Sequence, residues 1–218
     1  MFSDGTTGGE HSDEEMFECL KRGFNRTDKI ITDIARIEKW GDGCTVASAL
    51  IYGDRVYVGN LGDAEIIIVR KPAAGATGEA TGKCLTYRHK PSSPEERKRI
   101  EEAGGHVVFG RVMGTLAVSR AFGDFEFKVP SNKSKADYVS SEPYLAVEEL
   151  TGDEVALVVA CDGVWDVMKY DEAAKLVYEQ MTKFKKTPGE AAHALVTRAL
   201  EKSSSDNVSA IVAYLQWE

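Results

Sequence analysis

The sequence predicts an α+β domain, with helices covering the faces of antiparallel sheet. Three observations carry that reading. Apolar runs of strand length are joined by short Gly-Asp turns, helical spacing dominates separate stretches, and no internal repeat or clear domain boundary interrupts the 218 residues. The length suits one full-sized domain or two small ones, and 43% hydrophobic with 28% charged residues places the chain among globular proteins with a substantial core.

Taken in order, residues 1–11 read as a flexible N-terminus and 12–218 as a single domain. Ser12 with Glu15 forms a capping box. Phe17, Leu20, Phe24, Ile31 and Ile34 then follow at helical spacing until Gly41 and Gly43 break it. Three strand-like runs, 45–52, 55–60 and 64–70, are joined by Gly53-Asp54 and Leu61-Gly62-Asp63, which predicts a β-meander. Residues 71–83 are a Gly-rich loop. A second helix opens with Ser93 as N-cap, Pro94 at the first position and Glu96 closing a capping box. A short apolar segment between glycines spans 110–124, and 128–138 is an irregular polar loop. The runs 144–150 and 154–161 predict a hairpin turning at Thr151-Gly152-Asp153. Two helices, about 171–184 and 188–202, lead to a last strand at 208–215, the second helix marked by Thr187, Pro188 and Glu190.

A net charge of −8 argues against a nucleic-acid or anionic-membrane binder, either of which needs a basic face. No apolar run reaches the length of a membrane span, and the acidic, polar N-terminus is unlike a signal peptide. Cys19, Cys44, Cys84 and Cys161 are scattered with no CxxC, which predicts reduced thiols in an intracellular protein, cytoplasmic or nuclear, and no zinc site. His11, His89, His106 and His193 are isolated and read as surface or satisfied residues rather than ligands. Neither a phosphate-binding GxxxxGK[ST] loop nor a GxSxG elbow is present.

The apolar run ending at Cys161 passes straight into Asp162-Gly163, with Asp166 four residues on. Taken alone, Asp-Gly is an ordinary turn. Yet Asp63 closes the strand "RVYVGN" and Asp206 immediately precedes "VSAIVAYL", so three apolar strands each carry aspartate at a terminus. Should those termini share one sheet edge, the carboxylates converge, and like charges in one place call for a cation. Oxygen-only donors suit Mg²⁺ or Mn²⁺, and two such ions clamp a phosphate for in-line attack. Phosphate-ester hydrolysis is the natural reaction class. Arg120 and Asp124 in "SRAFGD" are expected to form a structural ion pair.

The stretches "GCTVASALIYGDRVYVGNLGDAE", "HKPSSPEERKRIEEAGG", "GRVMGTLAVSRAFGDFEFK", "ACDGVWDVM" and "SSSDNVSAIV" together resemble the type 2C metal-dependent protein serine/threonine phosphatases, over about residues 12–216. The resemblance implies a sandwich of two antiparallel sheets flanked by helix pairs. It also implies hydrolysis of phosphoserine and phosphothreonine in proteins without a phosphoenzyme. Asp162 and Asp206 match ligands of a dinuclear Mg²⁺/Mn²⁺ centre; Asp63 and Asp166, with Asp162, match an additional weaker metal site. Ser119, Arg120 and Asp124 match a mainly structural motif near a flap.

The family's early strands and their DGHGG-type motif have no counterpart here, since Asp4-Gly5 lacks the histidine. The expectation is an N-terminally incomplete type 2C domain whose uncovered sheet edges favour self-association. The alternative is a catalytically impaired fragment or pseudophosphatase serving as a binding or regulatory module.

Overall fold

The computed structural model describes residues 11–73 and 78–217. Asp4-Gly5 and part of the Gly-rich loop therefore lie outside the described residues. In chain order the elements are α1 (Asp13–Glu38), β1 (Gly43–Cys44), β2 (Val46–Tyr52), β3 (Arg55–Leu61), β4 (Glu65–Arg70), β5 (Thr81–Cys84) and α2 (Pro94–Glu102). Three short strands follow, β6 (Val107–Val108), β7 (Arg111–Val112) and β8 (Phe122–Gly123). The chain then forms β9 (Tyr144–Glu149), β10 (Glu154–Ala160), α3 (Asp162–Trp165), α4 (Tyr170–Thr182), α5 (Pro188–Glu201) and β11 (Ala210–Tyr214).

Two antiparallel sheets stack as a sandwich. One has the order β11-β10-β4-β5, the other β2-β3-β9. Val56 and Val58 of β3 meet Ile66 and Ile68 of β4 and Leu157 of β10 between the sheets. The alternate residues, Ile67, Val69, Ala156, Val158 and Ala160, turn to the outer face, where Ala173, Ala174 and Val177 of α4 and Ala191, Leu195 and Ala199 of α5 cover them. Both faces of β4 and β10 are buried, which is why these strands read as unbroken apolar runs. On the other outer face, Phe24 of α1 packs on Leu61 and Phe122. Asp13 at the start of α1 accepts hydrogen bonds from Arg55 (2.7 Å) and Tyr57 (2.6 Å) of β3.

The capping boxes at Ser12/Glu15 and Thr187/Glu190 both form. The one expected at Ser93 does not: Ser93 occupies the N-cap without a side-chain cap bond, and the Glu96 side chain is turned into the protein. There Glu96 accepts from Arg120 at 2.6 and 3.1 Å and from Arg99 at 3.1 Å. This also corrects the expected Arg120–Asp124 pair, since the guanidinium is committed to Glu96. Asp124 instead lies against Gly43, in a left-handed backbone conformation with φ of 49°.

The meander and the second hairpin are corrected as well. β2 and β3 do form a hairpin about Gly53-Asp54. However, β3 has β2 on one side and β9 on the other, so β4 has no free edge there and joins the opposite sheet. Leu61-Gly62-Asp63 is thus a crossover between sheets. The 149–154 connection is a second crossover, from β9 to β10. β2 and β11 are edge strands, and Leu50, Ile51, Tyr52 and Ile211 stand exposed along them.

Two outcomes follow for stability. Gly23 sits in the interior of α1 with open space where a side chain would be, so Gly23→Ala should stabilise the protein by about 0.5–1 kcal/mol in urea denaturation. Burial pushes the Glu96 carboxyl up, but hydrogen bonds from Arg120 and the charges of Arg99 and Arg120 outweigh it and hold the group at about 2. A depressed folded-state pKa stabilises fully above the ordinary 4.5, and that contribution fades as pH falls toward 2. Glu96→Gln should therefore cost about 3 kcal/mol at neutral pH and flatten the loss of stability on acidification across that window.

Candidate metal centre

The register of the central strand decides where the aspartates go. Ala160, the last residue of β10, pairs with Ala210 at the start of β11 and with Glu65 at the start of β4. Both neighbours run antiparallel to β10, so the end of one strand and the beginnings of two others share one rim. Asp162 leaves that rim, while Asp206 and Asp63 approach it. The charge after the apolar strand is therefore where the sheet ends, and α3 begins there.

α3 brings Asp166 back over Asp162: the Asp166 N–H donates to the Asp162 carbonyl at 2.8 Å, one turn along. The turn is pinned by Trp165, buried, whose Nε1 donates to the Ala160 carbonyl at 2.9 Å. The 161–166 and 204–209 segments are fastened together. Ser204 Oγ donates to the Gly163 carbonyl at 2.7 Å, and the Ser209 N–H donates to Cys161 Sγ at 3.2 Å. A Cβ on Gly163 would lie 2.2 Å from the Asn207 carbonyl oxygen, so only glycine admits this approach. The Asp206 carboxylate accepts the Asn207 N–H at 2.7 Å, which fixes its direction.

The four aspartates expected as ligands therefore lie toward one end of the sheet. Asp63 is buried at 4% exposure, Asp162 is half-buried, and Asp166 and Asp206 face solvent. Burial raises the Asp162 pKa, and the charges of Asp63, Asp206 and Asp166 raise it further against the opposing Lys90. Only carboxylates near enough to repel one another act in this way.

The sequence reading missed the groups that answer this charge. Lys90 Nζ is paired with Asp63. Arg88 Nη2 lies 2.5 Å from Asp166 Oδ1, and its Nε is 3.5 Å from Glu65 Oε1. Glu65 is itself buried at the rim and accepts from Tyr170 Oη at 2.7 Å. The signals were available: "RHK" just before a helix cap in an acidic chain, and a carboxylate opening the otherwise apolar strand "EIIIVR".

Among the described residues, no three His, Cys, Asp or Glu side chains are gathered so as to hold an ion by themselves. The donor set nevertheless fits a hard divalent cation, because Mg²⁺ and Mn²⁺ take oxygen ligands, need one or two carboxylates each and keep several waters. Beside Asp166 opens a cavity of about 540 Å³ lined by Gly82, Trp165, Met168 and Tyr170 among others.

The architecture is a sandwich of two antiparallel sheets with an acidic rim at one end, and comparison with known proteins places the chain in a family. The Protein phosphatase 2C family model matches residues 8–208, and the chain belongs to that family. It is 35% identical over 208 residues to Protein spalten of Dictyostelium discoideum, covering 94% of this chain and 20% of that protein. It is 37% identical to human Protein phosphatase 1F, covering 91% of this chain and 41% of that protein. With Protein phosphatase 2C homolog 2 of Aspergillus fumigatus it shares 40% identity over 75% of this chain and 36% of the relative. The chain thus spans between 20% and 41% of the length of these curated relatives.

Among solved structures, a C. elegans sex determining protein superimposes with a TM-score of 0.77 at 27% identity, over 94% of this chain and 47% of that one. The serine-threonine phosphatase 2C from Toxoplasma gondii gives 0.76 at 23% identity, over 95% and 72%, a likeness of fold.

The contact at Gly163 yields a test of how the rim is held. Gly163→Ala drives a methyl group into backbone and should cost about 2 kcal/mol in chemical denaturation. Gly189→Ala, at an open position in the first turn of α5, should not lower the midpoint.

Proposed function

We propose that this chain acts as a metal-dependent protein serine/threonine phosphatase, hydrolysing phosphoserine and phosphothreonine in proteins. The observation that carries this is the shared rim: Ala160 pairs with both Glu65 and Ala210, so Asp63, Asp162 and Asp206 are delivered to one end of one sheet. Asp162 and Asp206 hold a dinuclear Mg²⁺ or Mn²⁺ centre in this reading, and Asp63 and Asp166 serve a further, weaker position with Asp162. When bound, such ions polarise a phosphoryl oxygen and lower the pKa of water, which suits in-line displacement at phosphorus.

The chain's own residues position rather than attack. Cys161, the thiol beside the rim, has its sulfur engaged by the Ser209 N–H and the Asn207 carbonyl, which favours water as nucleophile over a covalent phosphoenzyme. Asp162, half-buried among like charges, is the ligand common to both sets. The cavity next to Asp166 gives room for the polypeptide flanking a phosphorylated residue. The four cysteines are free, in keeping with a reducing intracellular compartment, cytoplasmic or nuclear. No helix among the described residues is long and apolar enough to cross a membrane. The exposed edge strands β2 and β11 are the surfaces through which copies would associate.

The test is Mn²⁺-dependent release of phosphate from a phosphothreonine peptide. Turnover should appear with Mn²⁺, vanish with EDTA, and fall to background in Asp162→Ala. Hydrolysis indifferent to both EDTA and Asp162→Ala rejects the reading, and a folded chain with no turnover under any divalent ion points to a binding module instead.

A further inference from the structure

Two of the four rim carboxylates are occupied by cations of the chain itself, and both cations come from one tripeptide. Arg88 reaches Asp166 and Glu65, while Lys90 reaches Asp63. Between them His89 is completely buried and points the other way. Its main-chain N–H donates to the Gly62 carbonyl at 2.9 Å, and its Nδ1 donates to the same oxygen at 3.1 Å. Burial and the charge of Arg120 hold the imidazole at about 4, so it is neutral at physiological pH. The Ser119 N–H donates to the His89 carbonyl at 3.0 Å and closes the anchor. The Lys90 N–H donates to the Arg88 carbonyl at 3.0 Å, a tight turn centred on His89 from which the side chains of residues 88 and 90 both reach the rim.

Asp162 and Asp206 differ. Neither has an ion-pair partner among the described residues, although each stands in the same negative field. Among the described residues the rim is therefore divided into a half without ion pairs, Asp162 and Asp206, and a half closed by ammonium and guanidinium groups, Asp63 and Asp166. Both closing side chains keep about a third of their surface exposed, Arg88 31% and Lys90 33%, so they can swing into solvent without crossing the core.

Resting on the metal-centre reading above, we propose that Arg88 and Lys90 form a cationic latch that stands in for a divalent ion. They neutralise Asp166 and Asp63 when the rim is metal-free and compete with Mg²⁺ or Mn²⁺ for those carboxylates. Entry at the Asp63 side requires the Lys90 ammonium to leave, whereas entry between Asp162 and Asp206 does not. The physical basis is a charge balance. A fixed positive charge a few ångströms from an incoming dication repels it and also holds the ligand the ion needs, while the same charge stabilises the empty rim against its own repulsion.

The experiment combines Mn²⁺ titration by calorimetry with thermal unfolding in EDTA and in saturating Mn²⁺. Wild type is compared with Lys90→Gln, Arg88→Gln and Asp162→Ala. The latch predicts that Lys90→Gln lowers the melting temperature in EDTA, leaves it near the wild-type value in Mn²⁺, and tightens Mn²⁺ binding by about tenfold, the effect of one removed charge in a partly solvated site. Arg88→Gln should act in the same direction and serves if Lys90→Gln does not fold.

A purely structural ion pair would lower both melting temperatures equally and leave Mn²⁺ affinity unchanged, which overturns the latch. So does a Lys90→Gln variant whose melting temperature in EDTA equals that of wild type. Wild type that takes up Mn²⁺ in an Asp162-dependent way, with Lys90→Gln behaving identically, removes the latch alone. Wild type that takes up no Mn²⁺ at all removes the metal centre and the latch together.

Discussion

The structure turns on the pairing of one residue, Ala160, with two others, Glu65 and Ala210. β10 is a central strand buried on both faces, so its position is set by packing rather than by the charges beyond it. Ile66 and Ile68 face the other sheet while Ile67 and Val69 face α4 and α5. A slip of one residue in register would exchange these sets and remove both from their partners, so the apolar pattern locks the register. Once it is locked, the turns before β4 and β11 and the turn after β10 have to meet. The acidic rim is a consequence of hydrophobic burial some distance away.

The two ends of the same strand show how differently charge is handled. At its beginning, Glu154 is fully buried but accepts from Arg70 at 3.1 Å and from the Thr151 N–H at 2.8 Å, and its pKa is lowered despite burial. Glu148 nearby is bonded to both Arg70 and Lys83. That end is compensated and quiet. At the other end, Asp63, Asp162, Asp166, Asp206 and Glu65 face only Arg88 and Lys90 among the described residues. Such a deficit costs stability in the absence of a cation, and it is tolerated where an external charge completes the balance.

Much of this was legible in the sequence, for reasons that differ by element. α1 and α5 announced themselves because capping boxes and helical spacing are local properties, read within one or two turns. The central strands and the aspartates at their ends were legible because an apolar run bounded by carboxylate is unusual when it recurs three times. Sheet membership was not. Whether β4 continues from β3 or crosses to the other sheet depends on β9 having taken β3's second edge, and β9 lies some eighty residues away. The same holds for Glu96: its spacing from Ser93 suits a cap, yet Arg120, distant in sequence, competes for the carboxylate and wins with a charge-assisted, two-pronged bond. Local rules failed where a long-range partner offered a stronger interaction.

The crossover at Gly62 joins these themes. Gly62 takes φ of +84°, and a Cβ there would sit 2.3 Å from Thr45 Cγ2, so the turn is both left-handed and closely packed. It carries the chain out of the β2-β3-β9 sheet and into the other one, depositing Asp63 at the rim as it passes. Its carbonyl is the acceptor for His89, which fixes Arg88 and Lys90. One closely packed glycine turn therefore sets the position of a rim carboxylate and of the cations that answer it. Because Asp63 and its counter-ion Lys90 are both tied to this one turn, their spacing is set by a single local connection, the same one that makes the sandwich.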